Sequence, residues 1–117
     1  MKSGSVVTLE GSLGAGKTTF AKGIGRALGI DEPITSPTFT ILSVYEGALV
    51  LNHFDLYRIS HPEELEMLGF SEILYGDGVT LIEWSDRADE LPDDVIRVVI
   101  VIERDNSRTI RIEGLKE

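Results

Sequence analysis

The chain has 117 residues, 20 acidic and 11 basic side chains and a formal net charge of −9, so unaided binding to nucleic acid, which needs clustered Lys and Arg, is not expected. It has no cysteine, which excludes a disulfide scaffold, a thiolate metal site and a Cys nucleophile. No apolar run approaches the ~20 residues of a membrane span and no signal-peptide core opens the chain, so one cytoplasmic domain over residues 1–117 is expected.

In chain order, Val6 to Glu10 is a short β-branched apolar run and reads as a buried parallel strand. Gly11-Ser12-Leu13-Gly14-Ala15-Gly16-Lys17-Thr18 follows, with the spacing G-x-x-x-x-G-K-[ST] of a phosphate-binding P-loop. Lys17 to Leu28 reads as a helix closed by Gly29. A strand before the loop and a helix after it are the context that gives the motif its meaning. Glycines let the backbone wrap a polyphosphate with several N–H groups pointing inward, and the new helix turns its positive dipole end to the same anion. Gly11, Leu13, Gly14, Ala15, Gly16, Lys17, Thr18 and Thr19 are therefore the expected phosphate-binding residues. Lys17 reaches the β- and γ-phosphates in such a loop, and the Thr18 hydroxyl is a Mg²⁺ ligand.

Asp31 to Pro37 reads as a loop with two prolines. Thr38 to Tyr45 and Leu49 to Phe54 read as strands joined by a Glu46-Gly47 turn, hence a hairpin. Ser60 with Glu63 forms an S-x-x-E capping box for a short helix to Leu68, ended by Gly69. Ser71 to Tyr75 adds a helical turn and Val79 to Trp84 a second buried strand. Asp86 to Glu90 is helical or irregular. Val95 to Glu103 and Thr109 to Glu113 are strands around an Asp105-Asn106-Ser107 turn. The fold class is α/β: a single P-loop NTPase-like domain with a mixed sheet containing antiparallel hairpins.

A P-loop binds phosphate without saying what is done with it. Asp55 ends an apolar strand, where an acid holds Mg²⁺ in P-loop sheets; the open alternative is a turn or helix cap. Glu83 ends the next buried strand, before Trp84. Such a carboxylate orients or deprotonates an attacking water, or holds a metal-bound water; the open alternative is a solvated strand-end acid. Thr38, in Ser36-Pro37-Thr38-Phe39, fits a switch hydroxyl that senses the γ-phosphate, or plain Ser-Pro turn chemistry. Arg87 and Arg108 are nucleotide neighbours or solvated surface arginines. His53 and His61 fit no zinc spacing and read as packing or surface residues.

Gly14-Ala15-Gly16-Lys17-Thr18-Thr19-Phe20, Ser36-Pro37-Thr38-Phe39, His53-Phe54-Asp55-Leu56-Tyr57-Arg58, Pro62-Glu63-Glu64-Leu65 and Glu83-Trp84 together resemble the TsaE (YjeE) family, from about Val6 to Pro92. The resemblance implies a small ATPase of bacterial tRNA threonylcarbamoyladenosine synthesis. Such an ATPase binds ATP and ADP with Mg²⁺ and works with TsaB and TsaD, and it meets tRNA only through that complex. It also implies Lys17 as the phosphate ligand and Thr18 as the Mg²⁺ ligand. By the same resemblance Asp55 takes a Walker-B-like position, Glu83 the metal or catalytic-water position, and Thr38 belongs to a switch-like loop. Trp84 is near the site by adjacency, with packing as its other role. The family carries an extra N-terminal strand and helix that supply part of the base pocket; here Met1 to Ser5 alone precede the first strand, so that part is expected to be missing. Members commonly have Asp at the position of Ser12. A GTP switch would need N-K-x-D and a transporter ATPase L-S-G-G, and neither occurs. A small P-loop kinase, or a nucleotide-binding regulatory module with vestigial hydrolysis, are the alternatives.

Overall fold

Four strands rich in Val, Ile and Leu run parallel through the middle of one six-stranded sheet, and a hairpin partner flanks them at each edge. This computed structural model describes residues 3–11, 17–32, 41–88 and 91–114. The elements are β1 (Val6–Gly11), α1 (Lys17–Ala27), β2 (Leu42–Tyr45), β3 (Leu51–Asp55), α2 (Glu63–Glu66), α3 (Phe70–Leu74), β4 (Val79–Glu83), a 3-10 turn at Ser85–Arg87, β5 (Ile96–Ile102) and β6 (Arg108–Glu113). The sheet order is β2-β3-β4-β1-β5-β6. Both expected hairpins are present as antiparallel pairs, β2 with β3 and β5 with β6, so the α/β mixed sheet is as the sequence predicts.

Alternation along the strands divides the core into two layers. On one face Val7 and Leu9 of β1, Leu51 of β3, Val79 and Leu81 of β4 and Val98 and Ile100 of β5 pack against Ala21, Ile24 and Leu28 of α1. On the other face Val6, Phe54 and Ile82 pack beneath Leu56, Ile59, Leu65, Phe70 and Leu74, the segment that carries α2 and α3. Phe54 and Phe70 meet edge to face at 5.0 Å, a favoured arrangement of aromatic quadrupoles. Every residue of β4 is buried, as a strand covered on both faces must be.

Two local details differ from the sequence expectation or extend it. The acid that closes the turn before α2 is Glu64, not Glu63: its Oε2 accepts the N–H groups of Ser60 at 2.8 Å and His61 at 3.0 Å. Pro62 occupies the N-cap and has no N–H to satisfy, so the carboxylate one residue further on folds back onto the two amides that do. At the other end of α1, Gly29 takes φ +74°, and the Ala48 N–H from the β2–β3 turn donates to the Leu28 carbonyl at 2.7 Å. A Cβ on neighbouring Gly47 would lie 2.4 Å from that same carbonyl oxygen, so only glycine lets the turn come this close.

Candidate active site

The register of the parallel strands decides which chemical groups share a place. Asp55 of β3 lies opposite Glu83 of β4, and Glu83 lies opposite Leu9 of β1. Asp55 and Glu83 are the last residues of their strands, at the sheet edge where β1 ends with Gly11. Ligands of open α/β sheets bind outside this edge. Residues two apart on a strand share a face, so His53 joins Asp55, and Leu81 joins Glu83, on the α1 side of the sheet.

Glu83 is 4% exposed and holds two cationic or donor partners. Its Oε2 accepts a hydrogen bond from His53 Nε2 at 2.8 Å, and its Oε1 lies 3.5 Å from the Lys17 ammonium. Burial alone would push this carboxyl up; the His53 hydrogen bond and the Lys17 charge outweigh it and hold it below the ordinary glutamate value. Asp55 behaves oppositely. Burial raises its pKa, the Tyr57 N–H donated to Oδ1 at 3.1 Å opposes the rise, and the neighbouring Glu83 charge adds to it. The cap reading of Asp55 is thus realised in an Asx-type turn, on the same side chain that stands beside Glu83.

Trp84 follows at φ +60°, a left-handed conformation that costs an L-residue about 1–2 kcal/mol. The turn it makes carries its ring out of the sheet rather than into the core: the side chain is 41% exposed, 5.6 Å from the Lys17 ammonium and 5.0 Å from the Tyr57 ring. Arg87 lies against both rings, at 5.6 Å from Tyr57 and 5.7 Å from Trp84, and its Nη1 donates to the Ile59 carbonyl. A surface cluster of two aromatics and a guanidinium therefore borders the P-loop lysine.

Lys17, Asp55 and Glu83 are brought together. Gly11 ends β1 and Thr19 is exposed on α1. Arg108 opens β6 opposite Ile102, on the far edge of the sheet. Leu13, Gly14, Ala15, Gly16, Thr38 and the Thr18 side chain lie outside the described residues. The residue that the sequence did not mark is His53. Its signal was present in the H-x-D spacing, since a strand places both side chains on one face.

A family model described as threonylcarbamoyl adenosine biosynthesis protein TsaE matches residues 1–110. The chain belongs to the TsaE family. It is 47% identical to the TsaE of Treponema pallidum, over 96% of this chain and 84% of that one, and 48% identical to the TsaE of Bacillus subtilis, over 93% and 69%. It also superimposes on the crystal structure of Bacillus subtilis YdiB with a TM-score of 0.74 at 43% identity, over 94% of this chain and 68% of that one. These relatives are named tRNA threonylcarbamoyladenosine biosynthesis proteins, and a TsaE-family chain is a nucleotide-binding protein of that tRNA modification. Among the described residues no helix is long and apolar enough to cross a membrane.

Proposed function

We propose that this TsaE-family chain is a Mg²⁺-dependent ATPase, slow on its own, that supports threonylcarbamoyladenosine modification of tRNA alongside TsaB and TsaD in the cytoplasm. The observation that carries the reading is the buried Glu83 carboxylate, kept ionised at the end of a central strand and 3.5 Å from the P-loop Lys17. A carboxylate so held stays ionised and can accept a hydrogen bond from an attacking water and orient it. Lys17 is then shared between Glu83 and the phosphates, and phosphate binding draws the ammonium off the carboxylate.

The residues also fit a magnesium ion. Asp55 and Glu83 are adjacent hard oxygen donors whose mutual repulsion and burial leave Asp55 with a raised pKa despite the nearby Lys17, and a divalent cation would offset that repulsion. Mg²⁺ takes one or two carboxylates and completes its shell with water and substrate phosphates. Asp55, Glu83 and the Thr18 hydroxyl would hold it, and it would neutralise charge developing on the phosphate oxygens. Gly11, Leu13, Gly14, Ala15, Gly16, Lys17, Thr18 and Thr19 are the proposed phosphate-binding set and Thr38 the proposed sensor of the γ-phosphate.

The −9 charge keeps tRNA off the isolated chain, because phosphate contacts need basic side chains. Charge stabilisation supplied by a partner raises turnover of P-loop enzymes by about 10³–10⁵-fold, which is the expected use of TsaB and TsaD. Calorimetry with Mg·ATP and Mg·ADP, then phosphate release with and without TsaB and TsaD, tests the whole reading. Binding, slow basal release, stimulation by partners and loss of turnover in Lys17→Ala are expected. A folded chain that gives no heat with ATP sinks it; fast turnover without partners favours a free-standing kinase or hydrolase.

A further inference from the structure

His53 is fully buried on β3, between Leu51 and Asp55 on the α1 face and opposite Leu81 of β4. A polar ring in such surroundings is kept only at a cost unless its nitrogens are satisfied. One is: Nε2 meets Glu83 Oε2 at 2.8 Å. The other is not, for Nδ1 is buried and has no hydrogen-bond partner among the described residues. Leucine would fill the same space in this apolar layer without an unpaired ring nitrogen, but it would strip the buried Glu83 Oε2 of its hydrogen bond. A buried side chain that breaks the local rule, with its one satisfied atom on a carboxylate of the candidate site, points to a role in that site.

We propose that His53 is a positioning residue for ATP hydrolysis, fixing Glu83 through Oε2 so that Oε1 stays directed toward Lys17. The proposal rests on the reading of Glu83 as the carboxylate that positions water. Since an ionised carboxylate only accepts, His53 Nε2 carries the hydrogen. Without that bond Glu83 is held by Lys17 alone. Lys17 must also bind phosphate, so the carboxylate would follow the ammonium instead of keeping its place. With the bond, the two ends of Glu83 are separately assigned: Oε2 is anchored in the core, and Oε1 is free for the reaction once Lys17 turns to the nucleotide. Partners that orient a reactive carboxylate from behind typically account for about 10–100-fold in activity.

Three substitutions in the full chain separate positioning from packing. Gln sets its amide nitrogen where Nε2 stands, Asn sets its own near Nδ1, and Leu has none. In His53→Leu we expect kcat for ATP to fall by about 10–100-fold while KM and the calorimetric affinity for ADP hold. His53→Gln should recover most of kcat and His53→Asn should not. An independent readout is the long-range ¹⁵N–¹H NMR spectrum of the ring in the ligand-free protein, in which Nε2 should bear the proton. Wild-type kcat in His53→Leu, equal losses of kcat, ADP affinity and melting temperature in all three variants, or a bare Nε2 would each overturn the proposal. Loss of activity in Glu83→Gln without loss in His53→Leu brings down His53 alone. Full activity in Glu83→Gln brings down the reading of Glu83, and this proposal with it.

Discussion

The strip formed by the carboxyl ends of β3 and β4 and the β5–β6 hairpin are parts of one sheet, yet they treat charge in opposite ways. On the strip, His53 and Glu83 are buried and Asp55 is half-buried, each restrained by named partners. On the hairpin, every residue of β6 is exposed, and Arg97 pairs with Glu10 through two 3.0 Å hydrogen bonds in open solvent. Exposed pairs of this kind are worth little and are easily replaced by water. Buried ones carry a desolvation cost that the fold does not need to bear. The costly polar groups are concentrated where the P-loop lysine is, and the cheap ones lie at the edge.

The sharpest way to break this contrast is Glu83→Gln. It should preserve ATP binding and lower hydrolysis by about 10²–10⁴-fold, read as single-turnover phosphate release. Unchanged release would make Glu83 an ordinary strand-end acid. Next in size is packing. Leu81→Ala, in the fully buried layer beneath α1, should cost about 2–5 kcal/mol in denaturant unfolding. Ile112→Ala on exposed β6 should stay within about 0.5 kcal/mol, and equal losses would erase the distinction between strip and edge.

The two carboxylates of the strip should differ in sign. Asp55 has a raised pKa, so it contributes stability below its ordinary value of 3.8, and that contribution is lost as pH rises through the shifted value. Glu83 has a lowered pKa, so its contribution is present above 4.5 and lost as pH falls through the shifted value. At neutral pH, Asp55→Asn should therefore raise the melting temperature of the nucleotide-free chain while weakening Mg²⁺-dependent nucleotide binding, and the gain should fade below pH 3.8. A lower melting temperature at neutral pH would refute the sign. Arg97→Ala, which breaks an exposed pair, should leave the melting temperature almost unchanged, with any difference shrinking further in high salt.

Most of this architecture was legible because strands and glycines leave plain marks. The apolar runs of β1, β3 and β4 and the Gly-rich loop before α1 predict a parallel sheet with a phosphate site at its carboxyl edge. Glu46-Gly47 and Asp105-Asn106-Ser107 predict the two hairpins. What escaped was pairwise. Nothing in the sequence says that Asp55 faces Glu83, because register between β3 and β4 is a tertiary fact. For the same reason His53 read as a packing or surface residue, although its spacing to Asp55 already placed the two on one face. Trp84 read as near the site by adjacency or as a packing residue, and its left-handed backbone turns its ring outward beside Lys17. The choice of Glu64 over Glu63 depended on which amides Pro62 left bare.

The contact at Gly47 ties distant parts of the site into one frame. Lys17 opens α1 and Leu28 lies about 16 Å along its axis. There the helix end is fastened to the β2–β3 turn through the Ala48 N–H, with no room for a side chain between them. The strand that leaves this turn carries His53 and Asp55 back to the level of Lys17. Helix and hairpin thus behave as the two arms of a hairspring clip hinged at the glycine. A side chain at position 47 would force the helix end and the turn apart, and the spacing between the ammonium and the groups behind Glu83 would change with them.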